Sequence, residues 1–220
     1  MSKEIIADVE RDQVRIGVLE DRQLVELYVE KSFDERVVGN IYKGKVANVL
    51  PGMQAAFVNI GLSKNAFLYV GDLNTYNIGS EDDDIIEDIK KVPINDILHV
   101  GQRVVVQVVK EPIGTKGARV STNITLPGRY LVLMPTVDYI GISRRIEDEG
   151  ERQRLKALAD EIRPPNMGII VRTVAEGKGI DELKSDIEYL ERLWASIGVK
   201  QKGGKAPRLK IGRASCRERV

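Results

Sequence analysis

Two of the three phenylalanines in this 220-residue chain, Phe57 and Phe67, fall in one stretch, AAFVNIGLSKNAFLYVGDL. Lysines cluster around them: Lys43, Lys45 and Lys64 nearby, with Lys110 and Lys116 in KEPIGTKGAR. A ring that faces solvent can stack on an unpaired base while neighbouring ammonium groups follow the phosphate chain, and each stacked base contributes roughly 1–3 kcal/mol. Strand parity decides whether the rings face solvent, because residues two apart in a strand share a face. Ala56, Val58 and Ile60 form one apolar set, and Ala66, Leu68 and Val70 form another. Both phenylalanines fall on the opposite faces. A one-residue bulge would turn either ring into the core, so ordinary core packing is the competing reading.

Rings placed this way need a sheet to carry them. From Asn40 the runs NIYKGKVANVL, MQAAFVNIG, NAFLYVGDL and QRVVVQVVKE are punctuated by Gly44, Gly52, Gly61, Gly71 and Gly101, which predicts a small barrel. Ahead of it, EIIADVE, QVRIGVLED and QLVELYVEK alternate within residues 4–31 and predict a small antiparallel sheet, too small to stand alone. After Leu126 the pattern becomes β, α, β, α. RYLVLMP reads as a buried strand, EGERQRLKALADEI as a helix stopped by Pro164 and Pro165, and GIIVRTV as a second strand. The last helix carries Ile180, Leu183, Ile187, Leu190, Trp194 and Ile197 at three- and four-residue steps, a core stripe that includes the tryptophan. KQKGGKAPR then reads as a linker.

Lys and Arg total 34 against 33 Asp and Glu, so any attraction for an anionic partner must come from arrangement rather than from the net charge of +1. Residues 75–100 hold seven acids and two bases, whereas 101–145 hold seven bases and two acids. The run from Glu81 to Asp84 reads as a solvated loop rather than a divalent-cation site. A single cysteine, Cys216, and a single histidine, His99, exclude a disulfide framework and a Cys/His zinc site within one chain. His99 reads as structural. The charged N-terminus lacks an apolar signal segment, and no run of about 18 apolar residues occurs, so the expectation is a cytoplasmic protein without a membrane segment. The closing KIGRASCRERV is polar and Arg-rich without apolar periodicity. It reads as a foreign tail, with the natural protein continuing past this point.

The stretch NIYKGKVANVLPGMQAAFVNIGLSKNAFLYVGDL, followed by VGQRVVVQVVKEPIGTKGARVS, GRYLVLMP, GISRRIED and MGIIVRTVAEG, resembles the N-terminal part of the RNase E/G family of bacterial endoribonucleases. Several separate motifs in the family's order, from the N-terminus to about Pro207, carry the likeness. The resemblance implies an α+β multi-domain chain. Residues 1–38 would begin a split RNase-H-like subdomain, and 39–122 would form an inserted five-stranded OB-type β-barrel of the ribosomal S-one type, with the acidic insertion at 75–100. Residues 123–200 would form a small βαβα 5′-sensor domain, 201–209 a linker and 210–220 the foreign tail.

By the same resemblance, Phe57, Phe67 and Lys116, together with Lys110 and Lys43, would hold single-stranded RNA on the barrel. A 5′-monophosphate would be captured at Gly128, Val132, Arg172 and Thr173. A guanidinium and a hydroxyl at one strand end, with a backbone N–H freed by glycine, can give a terminal phosphate charge-assisted hydrogen bonds. Taken alone, Arg172 reads as half of a surface ion pair, and the resemblance moves it to the phosphate. Arg144 and Arg145 stay open between an acid within the fold and RNA. The family's nuclease centre holds magnesium on paired aspartates in a later domain, with a cysteine-bearing zinc link between protomers after it. Neither region is in this chain. The resemblance therefore implies a cytoplasmic hydrolase of RNA processing and decay, homo-oligomeric as the full-length parent. Its present segment would bind single-stranded RNA with a 5′-monophosphate, would hold no cofactor and would not cut. The alternative is a non-catalytic RNA-binding or protein-interaction OB-fold module, since fold alone does not settle function.

Overall fold

A computed structural model describes residues 2–10, 13–31, 37–73, 92–202 and 205–212. The core of the acidic insertion, Glu81 to Asp84 included, and Cys216 lie outside the described residues. The chain divides into two compact units, residues 1–36 and 37–220.

In the first unit, β1 (Lys3–Val9), β2 (Gln13–Glu20) and β3 (Gln23–Lys31) form an antiparallel meander in that order. Asp21 and Arg22, both at positive φ, make the two-residue turn between β2 and β3, a geometry that matches the twist of a hairpin. The predicted small sheet is present, and β1 is exposed along its whole length.

The second unit opens with the barrel. Its strands are β4 (Ile41–Leu50), β5 (Ala55–Asn59), β6 (Ala66–Tyr69), β7 (Arg103–Lys110) and β8 (Arg119–Ser121). They follow the order β4-β5-β6-β8-β7, and β7 returns to pair with β4, which closes the barrel. Among these described barrel strands only β6 and β8 pair in parallel. Five strands in this order, with a short helix α1 (Ile94–Ile97) between β6 and β7, make an OB-type barrel. Closure rests on β4, which pairs with β7 over Ile41–Lys45 and with β5 from Lys45 onward. A register shift between Val46 and Asn48 lets it bend from one partner to the other. Val46, Val58, Leu68, Val106 and Val120 fill the interior.

The remaining residues build a four-stranded sheet from β9 (Leu126–Pro127), β10 (Leu131–Met134), β11 (Ile140–Ile142) and β12 (Gly168–Val171), in the order β11-β12-β10-β9. β11 and β12 are parallel and joined through α2 (Glu149–Ile162), while β10 runs antiparallel to β12. The helix has the limits its sequence predicts. Asp148 caps it by accepting the Glu151 N–H at 2.6 Å, and the backbone turns away before Pro164. On α3 (Ile180–Lys202), Leu183, Ile187, Leu190 and Ile197 are buried, and Trp194 packs partly buried on the same cluster. β9 and β11 add two strands to the βαβα pattern. At two and three residues they are too short to show a period.

Residues 208–211, divided by the sequence reading between linker and tail, form β13 (Arg208–Ile211) on the free edge of β4. Ile211 is buried in the same cluster as Ile41 and α3 residues, so this strand ties the barrel's first strand to the sheet's core. A second tie is the buried Gln107 of β7. Its amide donates to the Gly39 and Thr125 carbonyls and accepts the Thr125 N–H at 2.8 Å.

Candidate functional site

Phe57 and Phe67 sit directly opposite each other across β5 and β6. The flanking Ala56, Val58, Ala66 and Leu68 are fully buried, while both rings lie on the other face, partly exposed. Parity therefore holds, because the barrel's register shifts fall on β4 and β7 and leave β5 and β6 in register. The ring centroids are 6.0 Å apart at 67°, an edge-to-face pair. Around them opens a groove of about 820 Å³ bordered by Lys64, Lys110, Lys116 and Arg119, with Asn48, Asn65, Met53 and Ile113.

The loop from β7 to β8 forms the far wall. Ile113 and Lys116 bond backbone to backbone across its tip, and the Lys64 ammonium donates to the Gly114 carbonyl at 2.6 Å. A Cβ on Gly117 would stand 2.0 Å from the Asn65 carbonyl oxygen, so only glycine lets the loop pass this close to β6. Arg119, in register with Phe67, is clamped by Asp72 through Nε and Nη2, both at 2.8 Å. The structure thus gathers Phe57, Phe67, Lys110 and Lys116, but not Lys43. That residue lies on the half of β4 paired with β7 and β13, away from the half that pairs with β5. Arg119 escapes a sequence reading because its place depends on the parallel β6–β8 pairing.

The second cluster lies where β11 and β12 end and β10 begins. Asp186 of α3 accepts the backbone N–H groups of Arg129, Tyr130 and Leu131 at 3.1, 2.8 and 2.9 Å. A Cβ on Gly128 would fall 2.6 Å from both Asp186 oxygens. The glycine is needed for that close approach. Its own N–H donates to the Leu131 carbonyl, which corrects the expectation that glycine frees a donor for an anion. Arg172 donates its N–H to Tyr130, and its Nη1 to the carbonyls of Gly128 and Arg129 at 2.6 and 3.2 Å. Among the described residues no carboxylate pairs with it, and Nε and Nη2 carry no hydrogen bond. Thr173 follows, partly exposed, at the start of a 3-10 turn, and Val132 lies in β10 on the face opposite Leu131 and Leu133.

Ser143 bonds Val171 just beyond the parallel pair, so Arg144 and Arg145 emerge at the same strand ends as Arg172. Both are exposed, and among the described residues neither forms an ion pair. The loop behind Thr173 is tied to α2. Arg154 grips both oxygens of Glu151 at 2.6 and 2.7 Å, Glu151 accepts the Gly177 N–H, and Arg154 donates to the Lys178 carbonyl. Arg154 first, and the Gly177 N–H second, pull the Glu151 carboxyl down to about 2. His99 is exposed in a turn, its N–H bonded to Gln102. Among the described residues no group of three or more His, Cys, Asp or Glu could hold a metal ion, and no helix is long and apolar enough to cross a membrane.

The ribonuclease E/G family model matches residues 125–220, from just before β9 past β13. Ribonuclease G of Haemophilus influenzae is 46% identical over 194 residues, covering 88% of this chain and 39% of that protein. Ribonuclease G of Escherichia coli is 42% identical over 222 residues, covering 100% of this chain and 45% of the relative. The chain belongs to the ribonuclease E/G family. Ribonuclease E of a Nostoc species, 44% identical over 203 residues, covers 89% of this chain and 28% of its own length. This family member thus spans less than half the length of these relatives, and its match to E. coli ribonuclease G takes in both clusters.

Proposed function

We propose that this chain is the RNA-binding and 5′-monophosphate-sensing portion of an RNase E/G-type endoribonuclease acting on single-stranded RNA in RNA processing and decay. The observation that carries the reading is the Phe57–Phe67 pair, off the core face and inside a groove bordered by four cationic side chains. Bases stack on the rings, and Lys64, Lys110, Lys116 and Arg119 follow the phosphates. At the second cluster the unengaged Nε and Nη2 of Arg172, with the Thr173 hydroxyl, receive a terminal phosphate through charge-assisted bonds. A hydroxyl end offers them no anion. Arg144 and Arg145 extend the cationic edge along which the RNA backbone runs.

Hydrolysis belongs to the longer, cytoplasmic and homo-oligomeric parent, where later domains supply the aspartates for magnesium and the zinc link between protomers. The present segment binds RNA without cutting it. Fluorescence anisotropy with one short single-stranded RNA, carrying a 5′-monophosphate or a 5′-hydroxyl, tests the reading at two salt concentrations. Bonds to a charged group contribute roughly 1.5–3 kcal/mol, about a ten- to hundred-fold preference for the monophosphate, and Arg172→Ala abolishes it. Equal affinity for both ends removes the sensing half of the proposal. Affinity for neither end, or affinity indifferent to salt, removes the RNA-binding half and favours a protein-interaction barrel.

A further inference from the structure

We propose that Asp186 is a positioning residue for the terminal phosphate, acting through the 128–131 turn to set the Arg172 guanidinium. The inference rests on the phosphate reading of Arg172 given above. A guanidinium selects a terminal phosphate only if its free edge is aimed before the ligand arrives, because a long side chain otherwise samples many rotamers. Here the aim is set by two backbone carbonyls, Gly128 and Arg129, both bonded to Nη1. Those carbonyls belong to a turn whose next three N–H groups all converge on Asp186.

One carboxylate thus fixes the peptide planes from which Arg172 hangs. The N–H of Arg129 and the carbonyl of Gly128 are the two ends of a single peptide group, as are the N–H of Tyr130 and the carbonyl of Arg129. A planar peptide holds its donor and acceptor in opposite directions. Pulling both N–H groups towards Asp186 therefore turns both carbonyls towards Arg172. Gly128 is the steric condition for this, since any Cβ there meets the Asp186 oxygens at 2.6 Å. Asp186 itself stands in α3, with the buried Leu183, Ile187 and Leu190 anchoring the helix around it. Its carboxylate is already engaged by backbone and does not touch the phosphate.

The test uses the 220-residue chain and the same two RNAs. Asp186→Asn keeps the shape but, with its oxygen on the Tyr130 and Leu131 N–H groups, sets its NH2 against the Arg129 N–H and turns the Gly128 carbonyl away, so the monophosphate-to-hydroxyl affinity ratio falls about tenfold. Adding Asp186→Asn to Arg172→Ala lowers the ratio no further, because both changes remove one device. Affinity for hydroxyl-ended RNA, carried by the barrel groove, is retained, which general unfolding would not allow. Gly128→Ala lowers both the thermal midpoint and the ratio. Combining it with Asp186→Ala relieves the clash and restores the midpoint to that of Asp186→Ala, yet the ratio stays low. A ratio unchanged in Asp186→Asn, while Arg172→Ala abolishes it, overturns the positioning role and leaves the phosphate site standing. A ratio unchanged in Arg172→Ala overturns both.

Discussion

The barrel groove and the strand-end cluster present charge by opposite means. In the groove the working groups are side chains standing on three adjacent strands, with Phe57 opposite Phe67 and Arg119 in register beside them. At the strand ends the working side chain is held by backbone carbonyls, and those carbonyls by a carboxylate more than fifty residues away in sequence. The first arrangement tolerates many bases, because every base offers a face to stack on. The second suits one small anion, since fixed donors recognise shape as well as charge. On the proposed reading, avidity in one region and end selection in the other divide the task, and variants can separate them.

The largest expected separation comes from the rings. Replacing both Phe57 and Phe67 with alanine removes two stacking platforms, each contributing roughly 1–3 kcal/mol or about 5- to 150-fold in affinity. Titration should show both RNA ends losing affinity together, with their ratio intact. A ratio that collapses with the rings would mean that the two regions act as one site.

Next in size is Gly117→Ala, which forces a Cβ to within 2.0 Å of the Asn65 carbonyl at the groove wall. The atom it meets is backbone and cannot swing aside, so the cost is about 3 kcal/mol in urea unfolding. The same change pushes the Lys116 loop off β6 and weakens binding of both RNA ends. Gln107→Ala is milder, at about 2 kcal/mol, because it strands the Thr125 N–H and two carbonyls at the tie between barrel and sheet. It should lower the unfolding midpoint while leaving both affinities of the folded protein in place.

Much of the groove was legible because its signal is local. A period of two over AAFVN and AFLY places the rings, and no bulge in either strand disturbs it. Helix α2 and the α3 stripe were legible for the same reason, their period and caps lying within one segment. Lys43 fails as a groove residue because β4 bends between two partners, and no local pattern shows which half faces which. β13 was hidden behind a glycine- and lysine-rich run, with only Leu209 and Ile211 to mark an apolar strand. At Gly128 the residue is legible and its reason is not. The glycine answers to Asp186, and a contact across 58 positions leaves no trace in the spacing of either neighbourhood.

The smallest effect, and the one that probes the strand-end region without touching Arg172 or Thr173, is the pH dependence of Glu151. Its carboxyl is pulled from an ordinary 4.5 to about 2 by Arg154 and the Gly177 N–H. A depressed carboxyl favours the folded state while ionised, so its contribution is fully present above about 4.5 and disappears as pH falls through about 2. The thermal midpoint of the chain should exceed that of Glu151→Gln at pH 7, and the gap should close over that interval. Because the carboxylate also fixes the loop that follows Thr173, Glu151→Gln at pH 7 should reduce the monophosphate preference, less than Asp186→Asn does, while the groove's affinity for hydroxyl-ended RNA stays. A gap that persists below pH 2 would detach the Glu151 contacts from its ionisation, and a uniform loss at both RNA ends would mean that the loop serves the whole molecule rather than the strand-end region.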